Sequence, residues 1–193
     1  MKNILVINAH TNENSFCFAL SNNYIKGAKK SGNKIKTLNL KDLDLEKFVK
    51  HIHDSKTQLP EDLQEVQKNI TWSDHLVFVY PTWWATPPAL LKVFFEMVFS
   101  SGFAFNYKSP SNFGPRWDKL LINKTARIIS TMDSPPLFYK LVIGDPGYKM
   151  MKDILNFCGI KPVKKNYFGS VKVSDSLTRK TWLEKINKVG LNE

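Results

Sequence analysis

Short apolar runs alternate along this chain with longer stretches of helical periodicity, and few folds are built that way. Asn3 to Ile7, Lys34 to Leu40, His75 to Tyr80 (HLVFVY), Thr125 to Thr131 (TARIIST) and Pro162 to Phe168 read as strands. Between them, Ser15 is placed to cap a helix carrying Phe16, Ala19, Leu20 and Tyr24 at helical spacing, with Gly32 as its stop. Pro60 opens a second helix with Leu63, Val66 and Ile70 on one face, and further helices are expected over Pro88 to Phe99, Tyr148 to Cys158 and Ser174 to Val189. The Pro88 to Phe99 helix is apolar almost all round, Lys92 and Glu96 forming its polar stripe, so it is expected to be buried or to face a second subunit. Five strands with helices between them predict a doubly wound α/β sandwich, parallel in its sheet, occupying 1–193 as a single domain. Phe103 to Tyr107, and the segment on to Pro115, fit neither strand nor helix pattern and read as an ordered excursion.

The excess of 28 Lys+Arg over 17 Asp+Glu gives a formal charge of +11. Such a charge suits a nucleic-acid binder, a protein that attracts small anions, or simply a solvated lysine-rich surface. The lysines scatter over 26–50 and 161–188, away from the tryptophan pair, so a nucleic-acid face with interleaved aromatics is not expected. Cys17 and Cys158 are too few for a disulfide framework, and the opening apolar run is too short for a signal peptide or a membrane span. A cytoplasmic protein without membrane insertion is the expectation.

In a doubly wound sheet, ligands bind beyond the carboxyl ends of the strands, which directs attention to three loops. The first, Asn8 to Ser15, leads into a helix start, where unpaired N–H groups attract an anion. It is neither a P-loop nor a G-x-G-x-x-G turn. The second, Pro81-Thr82-Trp83-Trp84-Ala85-Thr86-Pro87-Pro88, holds two indoles between prolines, a stiff platform for a flat ring, while Thr82 to Ala85 keep backbone donors for a ring edge. The indoles could equally be core or interface aromatics. The third, Met132 to Tyr139, contains Asp133-Ser134-Pro135-Pro136, which could accept from a ring N–H or could be ordinary turn chemistry.

His51 and His53 stand at a spacing that could ligate a metal on a strand, but no matching Cys, Asp or His cluster supports it, and no metal is expected. No Ser/His/acid or Cys/His set stands out either. Anion, stacking and ring-edge loops without acid–base machinery indicate that a cofactor carries the chemistry.

Ala9 to Phe16 after the first strand, Tyr80 to Lys92 with Phe95 to Phe99, Gly102 to Phe105, and Phe157-Cys158-Gly159-Ile160 together resemble the NAD(P)H:quinone oxidoreductase family, a flavodoxin-like group. The resemblance implies a flavodoxin-like fold and a homodimer with one flavin, FMN or FAD, per subunit. It also implies hydride passing from NAD(P)H through the flavin to a quinone-like acceptor by ping-pong kinetics. His10, Asn14, Ser15, Phe16 and Cys17 match the family's phosphate-contacting stretch. Pro81, Thr82, Trp83, Trp84 and Ala85 match the loop along the isoalloxazine, and Phe105 and Tyr107, with Trp84, match pocket aromatics, the first two serving the partner subunit. Thr131, Met132, Asp133 and Ser134 stand where members often carry a Gly-rich turn, and Tyr139 is the candidate catalytic tyrosine at the flavin edge.

Azo or nitro reduction at the same site is the nearest alternative, followed by a non-catalytic flavin-binding regulatory subunit. A flavodoxin-type electron carrier is disfavoured, because such carriers resemble acidic proteins and this chain carries +11.

Overall fold

The computed structural model describes residues 1–45, 59–111 and 114–193. His51 and His53 lie outside the described residues. Five strands, β1 (Asn3–Asn8), β2 (Lys34–Asn39), β3 (His75–Pro81), β6 (Thr125–Thr131) and β7 (Val163–Phe168), form one sheet in the order β2-β1-β3-β6-β7, every neighbour pairing parallel. Around it run α1 (Phe16–Lys30), α2 (Glu61–Trp72), α3 (Ala89–Val98), α4 (Pro136–Leu141), α5 (Pro146–Cys158) and α6 (Ser176–Leu191). This is the doubly wound five-stranded parallel α/β architecture that the alternation predicts, in the flavodoxin-like form that the resemblance implies.

Each central strand is buried on both faces, and alternate side chains feed two cores. Leu5, Ile7, Leu76, Phe78, Ala126 and Ile128 point to the side covered by α2, α3 and α5. Ile4, Val6, Val77, Val79 and Ile129 point to the side covered by α1 and α6. On that second side the two helices cross at glycines: a Cβ on Gly27 would sit 2.0 Å from the Asn187 carbonyl oxygen, and one on Gly190 would sit 2.2 Å from that of Tyr24. Asn187 also donates from Nδ2 to the Asn23 carbonyl at 3.0 Å. Only hydrogen at both positions lets the backbones approach so closely.

The excursion after α3 is corrected to a strand pair. β4 (Phe105–Ser111) and β5 (Gly114–Lys119) form a two-stranded antiparallel hairpin, Tyr107 opposite Trp117. The ribbon is largely open to solvent, so no apolar alternation marks it. Its anchor is Trp117, stacked on Phe157 with ring centroids 4.5 Å apart and donating from Nε1 to the Phe157 carbonyl at 3.0 Å. The third loop is corrected too: it contains α4, six residues long and too short to show a helical period, with proline at its start. The closing helix begins at Ser176, two residues later than expected, and is capped by the Asp175 side chain. No helix among the described residues is long and apolar enough to cross a membrane.

Candidate active site

The strand order reverses across the sheet between β1 and β3, the place beyond whose carboxyl ends open α/β sheets bind ligands, and here the first and second loops flank it. In the first loop the backbone is folded by its own polar groups. Asn12 N–H donates to His10 Nδ1 at 2.9 Å, Asn14 N–H to Asn12 Oδ1 at 2.9 Å, and Ser15 N–H to the Asn12 carbonyl at 3.2 Å. Ser15 then caps α1, its Oγ accepting from Phe18 N–H at 3.4 Å. The N–H groups of Phe16 and Cys17 keep no acceptor among the described residues, which leaves two donors at the positive end of a 15-residue helix. With Nδ1 of His10 accepting, the neutral ring carries its proton on Nε2, a third donor, and partial burial favours that neutral form by lowering the imidazole pKa. Cys17 contributes only its backbone: burial pushes its thiol up to about 12, and Sγ lies 3.2 Å from Thr131 Oγ1.

The second loop is a tight turn. Trp83 N–H donates to the Thr86 carbonyl at 2.9 Å and Thr86 N–H returns to Trp83 at 3.0 Å, with Trp84 (φ 49) and Ala85 (φ 62) both in the left-handed region at its tip. That conformation suits Asn-Gly far better than Trp-Ala, and backbone strain of this kind concentrates where ligands bind. It throws the Trp84 side chain wholly into solvent, 99% exposed, while Trp83 is half covered by the edge-on ring of His10. Trp84 is therefore not a core aromatic. Of the four backbone donors expected along this loop, Thr82 is committed to the Thr131 carbonyl at 2.7 Å and Trp83 to Thr86. Trp84 and Ala85 keep theirs, with no acceptor among the described residues.

The turn is held from behind by Tyr139. Its hydroxyl donates to the Ala85 carbonyl at 2.7 Å and accepts from Gly147 N–H at 3.0 Å, and the residue is 2% exposed. Burial raises its pKa, the Gly147 hydrogen bond opposing. With both roles of the hydroxyl filled, Tyr139 braces the turn from behind. Sequence reasoning missed what backs it: Asp145, Gly147, Lys165 and Tyr167. The only signal was Gly144-Asp145-Pro146-Gly147, a turn signature.

The third loop is stitched to the end of β7. Met132 N–H donates to Phe168, Val171 N–H to Met132, and Asp133 Oδ1 accepts from Lys172 N–H at 3.2 Å. Met132 is buried, Asp133 is exposed, and the Ser134 carbonyl takes Ser170 N–H. Phe105 and Tyr107 stand apart on the hairpin, edge-on at 5.2 Å, and no hydrogen bond or ring contact joins them to the first two loops among the described residues. Phe105 instead borders an apolar groove of about 400 Å³ with Phe95, Phe99 and Phe157. Nor do the cations all gather at the crevice: Lys164, Lys185 and Lys188, without ion-pair partners among the described residues, border a cleft toward the amino end of β7. Among the described residues no cluster of three or more His, Cys, Asp or Glu could hold a metal.

Residues 2–189 match the family described as having a flavodoxin-like fold. The chain is 29% identical over 188 residues to an uncharacterized NAD(P)H oxidoreductase of Haemophilus influenzae, covering 94% of this chain and 91% of that one. It is 27% identical over 185 residues to NAD(P)H dehydrogenase [quinone] 1 of Rattus norvegicus, covering 83% of this chain but 66% of the rat protein. Among solved structures, Smu.1420 from Streptococcus mutans superposes with a TM-score of 0.79 at 28% identity, covering 99% of this chain and all of that one. An FMN-dependent NADH-azoreductase from Bacillus anthracis, solved with FMN, gives 0.70 at 17% identity, a likeness of fold, covering 100% and 99% of the two chains.

Proposed function

Because the chain belongs to the family with the flavodoxin-like fold, we propose that it is an NAD(P)H oxidoreductase that binds a flavin in the crevice beyond β1 and β3 and passes a hydride equivalent to a quinone-like acceptor. The observation that carries this reading is the pairing of two loops of opposite chemistry: free N–H donors at the start of α1, and an exposed indole on a strained turn. The first fits a phosphate; the second fits a flat ring.

The residues present suit the group. The Phe16 and Cys17 N–H groups, with Asn14, Ser15 and His10 Nε2 nearby, would hold the phosphate, and Trp84 would lie along the ring, with the N–H groups of Trp84 and Ala85 toward its edge. The third loop, Thr131 to Ser134, would close the far side. Bound flavin supplies reversible two-electron acceptance, which no side chain here can provide. The chain's own part is positioning, exclusion of water, and stabilisation of negative charge by fixed N–H dipoles.

Donor and acceptor would use one face in turn, giving ping-pong kinetics. Phe105 and Tyr107, which do not reach the turn of their own chain, would complete the pocket of a second copy. Relatives named as quinone dehydrogenases support the acceptor class, and the azoreductase likeness of fold makes azo compounds the next class to assay.

The test is direct. Purified protein with FMN or FAD added is expected to retain a yellow chromophore through desalting, to bleach under NADH or NADPH without oxygen, and to regain colour when a benzoquinone is added. A protein that retains neither flavin, or a bound flavin that neither nucleotide bleaches, overturns the proposal.

A further inference from the structure

Three non-glycine residues in the left-handed region gather around one phenol. Trp84 (φ 49) and Ala85 (φ 62) form the tip of the turn, and Asp145 (φ 61) precedes α5. Asp145 N–H donates to the Tyr139 carbonyl at 3.1 Å, while the Tyr139 hydroxyl holds the Ala85 carbonyl. Gly147 completes the bridge: a Cβ there would meet the Tyr139 hydroxyl at 2.7 Å and the Ala85 oxygen at 3.3 Å. The Asp145 carboxylate is buried, and it accepts from the Tyr167 hydroxyl and from the Lys165 ammonium. Lys165 is itself fixed over the Tyr148 ring at 3.8 Å. A buried carboxylate is costly unless its partners hold it, and here Lys165 and Tyr167 do, on a backbone conformation that Asp adopts more readily than most residues.

We infer that Asp145 is a positioning residue for the cofactor ring. Its carboxylate, locked by Lys165 and Tyr167, fixes the backbone that places Tyr139 and Gly147, and Tyr139 in turn fixes the turn carrying Trp84 and Ala85. The inference rests on reading that turn as the ring platform. It assigns Asp145 no contact with the reacting atoms and no proton transfer.

Two substitutions in the full chain test it. Asp145→Asn keeps a residue that tolerates left-handed backbone while removing the charge that binds Lys165; Tyr139→Phe removes only the hydroxyl. In the flavin-free protein, amide exchange at Trp83 and Thr86 is expected to rise about tenfold in either variant, while exchange at Val77 and Ile128 in the sheet stays unchanged. With FMN added, the dissociation constant is expected to rise about tenfold for either. The double variant should be no worse than Tyr139→Phe alone, because both act through one bridge. Unchanged exchange at the turn, or losses of affinity that add in the double variant, would overturn the inference. Failure of the wild type to take up FMN would instead sink the flavin reading, and the exchange result would still decide whether Asp145 holds the turn.

Discussion

The imidazole of His10 stands edge-on to the indole of Trp83, ring centroids 5.6 Å apart and planes at 69°. One side chain thereby joins the loop after β1 to the loop after β3 while its Nε2–H remains available to an anion. His10→Ala is expected to weaken FMN binding about tenfold and riboflavin binding far less, since only FMN carries the phosphate. Equal losses for the two flavins in equilibrium dialysis would show that His10 acts on the ring alone.

Trp84 touches nothing that stabilises the fold, whereas Trp72 lies on α2 beneath the Lys36 ammonium, 5.0 Å from its ring centroid. Trp84→Ala should therefore leave the unfolding midpoint unchanged and weaken flavin retention about tenfold, the size of a lost aromatic stack. Trp72→Ala should do the reverse. Small, equal effects on flavin retention would refute the platform.

Burial lowers the pKa of His75 to about 4, the nearby Glu193 carboxylate pulling the other way and Lys2, Arg127 and Lys164 adding to the lowering. The ring is neutral in the folded protein and free to protonate in the unfolded chain near 6.5. Above pH 6.5 neither state holds the proton and stability is full. Between 6.5 and about 4 the unfolded chain gains a proton that the folded one refuses, so stability falls as the solution is acidified, by about 3 kcal/mol over that window. Urea titrations at pH 7 and pH 5 should show the loss. His75→Asn should flatten it, and a slope unchanged in that variant would remove His75 as its source.

Gly190→Ala is expected to cost about 3 kcal/mol, because the new methyl meets the Tyr24 carbonyl, which belongs to helix backbone and cannot swing aside. Chemical denaturation decides it: a loss below about 1 kcal/mol would mean that α1 and α6 slide apart without penalty.

The parallel sheet was legible because apolar runs such as HLVFVY have only one way to be buried, between two layers of helices. The hairpin was not, since Tyr107, Lys108 and Arg116 face solvent and its anchorage to Phe157 is a contact between distant residues. At the site, chain chemistry alone marked the α1 cap and the Trp84 turn. That Tyr139 braces the turn was not legible for a physical reason: a tyrosine in a loop looks unattached until the structure shows its hydroxyl bonded to both Ala85 and Gly147. Asp145 went unread because a Gly-Asp-Pro-Gly string signals a turn and says nothing about the lysine and tyrosine twenty residues on that bury its charge.

The crossing of α1 with α6 joins Phe16–Lys30 to Ser176–Leu191, so a helix synthesised early waits for one synthesised much later. Until α6 emerges, Tyr24 and Ala28 have no cover on that face, and the glycine seam stays open to any other helix that finds it. Folding during synthesis is therefore expected to build the β1, β3 and β6 core first and to seal this face only once α6 has emerged, and the nascent chain is most in need of a chaperone in the interval between the two.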